Sequence, residues 1–76
     1  MDERKEWVVE IGKRLTEARG IRTRRGVAKA IGISDSRLGN YEHGLRVPPD
    51  DIKVRIAEYY GVPVADLFYA NINYEA

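Results

Sequence analysis

Apolar residues recur at helical spacing along most of this chain. Between residues 3 and 19, Trp7, Val8, Ile11, Leu15 and Ala18 fall on one side of a helix with charges between them. The stretch "RGIRT" interrupts the pattern. Thr23 then has the chemistry to cap a second helix, whose inner face is Val27, Ala28 and Ile31. Gly32 suits the position past a helix end, where φ turns positive. Ser34 can cap a third helix running to about His43, with Gly44 as its stop. After the loop "LRVPP", Asp50 and Asp51 open a fourth helix, where acids favour the dipole. Its inner face is Ile52, Ile56, Ala57 and Tyr60. "GVPVADLFY" ends that helix at Gly61 and starts a short fifth from Pro63. Prolines occur only at 48, 49 and 63, between elements. The tail "ANINYEA" alternates, with Ile72 and Tyr74 in step, and reads as an edge strand, a partner-binding arm or a frayed end. The pattern predicts an all-α domain of five short helices over residues 1–70, with a tail over 71–76 that is flexible or dimer-contacting.

The third helix differs from the others. Its only large apolar residues are Leu38 and Tyr41, at i and i+3, which pin one side to the core. The other side carries Asp35, Ser36, Gly39, Asn40 and His43: two small residues among hydrogen-bonding groups. Ala28 is small where the second and third helices must cross closely, and Ile33 places one apolar residue inside the turn between them. A polar helix directly after a core helix points to a task outside the protein.

Composition narrows that task. A chain of 76 residues is one domain. It buries only about 60% of the surface its unfolded form exposes, which leaves no room for a sensor pocket. There are no cysteines for a disulfide or thiolate metal site, and His43 is the sole histidine. No apolar run approaches the ~20 residues of a membrane span, and "MDERKEW" lacks a secretory start, so a soluble, cytoplasmic protein is expected. No nucleophile has a base beside it, and Asp50 with Asp51 reads as dipole-favouring acids; an enzyme is not expected. Neither is a metal, cofactor or small-molecule ligand. The net charge is only +1, but its distribution matters more than its sum. From Lys13 to Arg46, nine bases against three acids leave +6; elsewhere, four bases against nine acids leave −5. The basic half is centred on the second and third helices.

The spacing of Val27, Ala28, Ile31, Gly32, Ile33, Leu38 and Tyr41 is that of a helix-turn-helix. With "IGKRL" early, the aromatic-Glu-x-Gly-x-Arg-x-Pro run from Tyr41 to Pro48, and "IAEYYGVPVADLF" at the end, the chain resembles the Cro and lambda-repressor-like (XRE-type) DNA-binding domains over residues 11 to 68. The resemblance implies roles. Asp35, Ser36 and Asn40 match base-reading positions; Arg37 and His43 match positions that meet the DNA backbone. Arg24 stands where the family usually has a glutamine that binds phosphate and braces the recognition helix. An arginine holds phosphate by charge but cannot accept the same bracing bonds. Glu42 matches an acid that pairs with an arginine late in the first helix, here Arg19. Ala28, Gly32, Leu38 and Tyr41 are structural. The chain departs from the pattern in a connection between the first two helices about two residues shorter than usual, and in Pro49 and Pro63 where a serine cap often stands.

Groove chemistry gives these positions a mechanism. Asn40 can bond adenine N6 and N7 together, and Asp35 can accept from cytosine N4. Asp35 is otherwise an awkward neighbour for phosphates and acts by rejecting wrong sequences. Arg22, Arg24, Arg25, Arg37 and Arg46 would position the helix on phosphates without specifying sequence, helped by the helix-start amides at Thr23 and Ser34. With about four phosphates neutralised per protomer, a dimer's log–log salt slope should be near −7. The implied function is a small transcriptional regulator, most readily a repressor, that inserts the third helix (34–43) into the major groove. It would bind a pseudo-palindromic double-stranded operator as a homodimer, in a bacterial, phage or antitoxin setting. The alternative is a protein-binding adaptor on the same fold. Trp7 is expected in the core beside Phe68 and Tyr69, or else at a dimer contact.

Overall fold

The expected periodicities become five helices: α1 (Glu6–Arg19), α2 (Arg24–Ile31), α3 (Asp35–Glu42), α4 (Asp50–Tyr60) and α5 (Val64–Phe68). The computed structural model describes residues 5–75, and no strand occurs among them. The expected start of the first helix at residue 3 lies outside that range, as does the last residue of the tail.

One core serves all five helices. Ile11 and Leu15 from α1, Leu38 and Tyr41 from α3, Ile52 and Ile56 from α4, and Leu67 and Phe68 from α5 are buried around Val27, Ala28 and Ile31 of α2. Burying side chains of this size supplies most of the drive to fold, at about 1.5–3 kcal/mol each. α1 packs on α3 and α5, α2 on α3 and α4, and α4 on α5. α3 is thus held from two sides.

The contact of α1 with α3 depends on a residue the periodicity does not single out. Gly12 is buried, and a Cβ there would stand 2.4 Å from the backbone oxygen of Glu42. The two helices come together at the end of α3 only because Gly12 has no side chain. A second tie joins α1 to α5, where Arg14 donates to the Asp66 carbonyl at 3.0 Å.

The prolines start their helices without side-chain help. Pro49 and Pro63 occupy the N-cap positions of α4 and α5 in extended conformation, and neither helix has a side-chain cap bond. The fixed proline φ and the acids Asp50 and Asp51 serve instead.

Residues 69–75 form turns rather than an edge strand. Ile72 packs against the core, and the Tyr74 hydroxyl donates to the Phe68 carbonyl. Trp7 is half-buried, and its closest ring partner is Tyr74, at 4.8 Å between centroids, rather than Phe68 or Tyr69. The Tyr69 ring also lies near Tyr74, at 6.1 Å between centroids. The described part of the tail therefore closes over the start of α1.

Candidate nucleic-acid interface

The turn between α2 and α3 is built by residues chosen for backbone reasons. Thr23 caps α2, its hydroxyl accepting from the Gly26 amide at 3.1 Å. Ser34 caps α3 in the same way, accepting from the Arg37 amide at 3.0 Å. Such caps are worth ~1 kcal/mol each. Between them Gly32 sits at φ 92°, left-handed, with its amide and that of Ile33 both donating to the Ala28 carbonyl. That conformation disfavours any residue with a Cβ. Ala28 and Val27 are both 1% exposed. The small side chain of Ala28 lets α2 and α3 cross tightly.

Leu38 and Tyr41 anchor α3 inward at 0% and 3% exposure. On its outward flank Ser36, Arg37 and His43 are exposed, while Asp35 and Asn40 are half-buried. Gly39, expected on that outward side, is buried. The reason is Arg24. A Cβ on Gly39 would stand 3.0 Å from Arg24 Nη1 and 3.1 Å from its Cζ. The guanidinium lies across the bare backbone of α3 at Gly39.

From that seat Arg24 holds Asp35 with two bonds, Nε to Oδ1 at 2.8 Å and Nη2 to Oδ2 at 3.3 Å. The hydrogen bond from Arg24 holds the Asp35 carboxyl below the usual carboxylate range, and the same bond raises Arg24. The first residues of α2 and α3 are thereby joined. An arginine at position 24 thus braces the third helix by donating to Asp35, in keeping with its inability to accept. It also means that neither Arg24 nor Asp35 presents an uncompensated charge.

The other end of α3 is held by a second pair. Arg19 grips Glu42 through Nε to Oε2 at 2.8 Å and Nη2 to Oε1 at 3.1 Å, and its Nη1 donates to the Arg22 carbonyl at 2.8 Å. The Glu42 side chain is 3% exposed and that of Arg19 22%. The bond to Glu42 raises the Arg19 pKa. The short connection between α1 and α2 does not disturb this pairing, which is the one the family resemblance implies.

The remaining cations are spread around α3. Arg25 and Arg46 are exposed. Arg37 donates to the Tyr41 hydroxyl at 3.1 Å. Arg22 lies 5.6 Å from the ring centroids of both Tyr59 and Tyr60 and donates to the Ala18 carbonyl at 3.4 Å, so it is turned toward α4. His43 is exposed at the C-terminal end of α3. The Asn40 backbone carbonyl accepts from the Leu45 and Arg46 amides at 2.9 and 3.3 Å, which folds the loop after α3 back upon the helix end. Arg37, Asn40, Tyr41, Arg46, Val47 and Pro49 line an open depression of about 500 Å³ there. Of the residues expected to read bases, Asn40 and Ser36 thus lie open on one flank, with Arg37 and Arg46 beside Asn40. Asp35 lies on the same flank but is occupied by Arg24.

The described residues include no cluster of histidine, cysteine or acidic side chains able to hold a metal. No described helix is long and apolar enough to cross a membrane.

Comparison with known proteins places this geometry. The chain is similar to the restriction-modification controller protein C.AhdI from Aeromonas hydrophila, at 26% identity over 80% of this chain and 91% of that one, with a TM-score of 0.72. It is similar to the BldD DNA-binding domain from S. venezulae, at 26% identity over 84% and 99% of the two chains, with a TM-score of 0.72. The fold also matches the SOS-response transcriptional repressor LexA from Eubacterium rectale, at 18% identity over 99% and 83%, with a TM-score of 0.84. No curated protein sequence matches the chain. Residues 10–67 match the family model described as a helix-turn-helix domain. With that match over most of its length, and with α2 and α3 crossed at Gly32, the chain belongs to the XRE-like helix-turn-helix family.

Proposed function

We propose that the protein is a sequence-specific binder of double-stranded DNA that acts as a transcriptional repressor, with α3 entering the major groove. The single observation that carries this reading is the outward flank of α3. Ser36 and Arg37 are exposed there and Asn40 is half-buried, with no other described helix packed over them, while both ends of the helix are clamped to the body. A flank that is rigid, polar and basic is what groove recognition needs, because ordering costs are met before binding. The likeness to a restriction-modification controller and to a DNA-binding domain supports the class.

In this reading Asn40 reads adenine through N6 and N7, and Ser36 makes an adaptable base contact. Arg25, Arg37 and Arg46 sit on phosphates, with Arg22 at the margin and His43 at the far end of the helix. The hydroxyls of Thr23 and Ser34 are committed as caps. Their helix starts still offer amides to phosphate. The protein works as a homodimer on a pseudo-palindromic operator, with half-sites about one helical turn apart, in a bacterial cytoplasm, encoded by the host or by a phage or other mobile element. Neither cofactor nor catalytic step enters.

The test is selection of duplexes from a random pool by purified protein. The expected product is a two-fold motif with half-sites about 10 base pairs apart. Asn40→Ala should change preference at one position per half-site by about 1–3 kcal/mol. A motif unchanged by Asn40→Ala contradicts the reading flank. Recovery of no motif, with early elution from heparin that Arg25→Ala does not alter, favours a protein-binding adaptor instead.

A further inference from the structure

Arg24 and Asp35 stand at the two helix starts nearest the proposed duplex, yet they bind each other. Their geometry is side-on: Nε and Nη2 face the carboxylate, and Nη1 rests against the Gly39 backbone. Each side chain keeps about a third of its surface open, 34% for Arg24 and 37% for Asp35. The pair is therefore wet enough to exchange partners and close enough to cancel in charge. A carboxylate at the first residue of α3 also gains from the helix dipole. Near any duplex it faces phosphates, which repel it.

We propose that Asp35 is a brake on indiscriminate DNA binding, and that the charge it restrains is Arg24. This deepens the functional reading above and rests on it. On a random duplex, Arg24 cannot move to a phosphate without abandoning Asp35, which would leave an unpaired carboxylate in the phosphate field. On the right operator, a base-edge donor such as cytosine N4 can occupy an Asp35 oxygen while Arg24 stays in place. The pair thus subtracts from general attraction and leaves specific affinity intact, so it raises the ratio between them, the quantity on which a regulator's selectivity depends. Gly39 is part of the device, since only a bare backbone gives the guanidinium its seat.

The experiment compares wild type, Asp35→Asn, Arg24→Gln and the double variant on random-sequence duplex and on the selected operator, across a salt series. Asp35→Asn frees Arg24, so it should tighten random-duplex binding about tenfold at low salt. It should also steepen the log–log salt slope by about 0.9 per protomer. The ratio of operator to random affinity should fall. In the Arg24→Gln background the same substitution relieves only the carboxylate's own repulsion and frees no cation, so it should steepen the slope by clearly less than it does in wild type. A carboxyl titration by NMR checks the pair without DNA: the Asp35 signal should titrate below the ordinary range in wild type and return to it in Arg24→Gln. Thermal melting confirms that each variant is folded.

If wild type binds duplex while Asp35→Asn leaves both slope and ratio unchanged, the brake is overturned and the functional reading stands. An Asp35 titration unaffected by Arg24→Gln overturns it too. If wild type binds no duplex even at low salt, the functional reading fails first and the brake falls with it.

Discussion

Two arginine–carboxylate pairs hold α3, one at each end, and they differ in burial. Arg24 and Asp35 clamp its first residue with both side chains about one-third open. Arg19 and Glu42 clamp its last, with the glutamate 3% exposed. Both are two-point contacts of the same chemical kind. Water separates their consequences. The half-open pair is screened and exchangeable, so it adds little to stability and much to the charge character of the flank. The buried carboxylate cannot readily rehydrate, so losing its arginine should be costly to the fold. Identical chemistry serves recognition at one end of the helix and architecture at the other.

The largest expected effect is at the buried end. Arg19→Met leaves the Glu42 carboxylate inside without its partner, which should destabilise by about 3–5 kcal/mol in urea unfolding. A loss under ~1 kcal/mol would equate the two pairs and break the comparison.

The two glycines beneath these pairs sharpen it. Gly12→Ala drives a Cβ into the backbone oxygen of Glu42, 2.4 Å away, and backbone cannot yield easily. It should cost about 1–3 kcal/mol. Gly39→Ala meets only the end of a flexible arginine. There the gain of ~1 kcal/mol in helix propensity offsets the displacement, and stability should barely change. Asp35 should instead titrate closer to the ordinary carboxylate range, read by NMR, because Arg24 has lost its seat.

Smaller effects appear in pH. The depressed Asp35 value contributes stability that is present above the usual carboxylate range and lost as pH falls through the lower folded value. Nothing from this pair should change between about pH 5 and 8. Tyr60 acts oppositely. Burial pushes its phenol up to about 12, and its hydroxyl has no hydrogen-bond partner among the described residues. The neutral form is favoured in the fold, so that contribution is present below the ordinary tyrosine value near 10 and lost as pH rises through about 12. Tyr60→Phe should flatten the alkaline fall in melting temperature. At neutral pH it should be within about 1 kcal/mol of wild type, or slightly above it.

Much of this was legible in the sequence because it rests on local rules. Helix periods place Ile11, Leu15, Val27, Leu38 and Ile56 inside, and Thr23, Ser34 and Gly32 declare the ends of α2 and the start of α3 through backbone chemistry. The Arg19–Glu42 pair was legible through the family resemblance. The seating of Arg24 on Gly39 was not. It joins Arg24 to residues 11 and 15 positions further along the chain, across two helices whose crossing distance no one-dimensional pattern encodes. A glycine at the fourth position after Asp35 was the available signal, and it reads equally well as a small residue facing a groove. Gly12 hid for the same reason, since a close approach between α1 and α3 is a property of packing. The tail was ambiguous because alternation in "INY" suits a strand, whereas the Tyr74 hydroxyl finds the last carbonyl of α5 and its ring finds Trp7.

The most direct test of the central claim is an NMR titration of isotope-labelled protein with the selected duplex, following every backbone amide. The account predicts that the largest shifts fall on residues 35–43, with smaller ones at Thr23, Arg25 and Arg46, and little change in α5. Shifts confined to α4, α5 and the tail, with the outward flank of α3 silent, would contradict it.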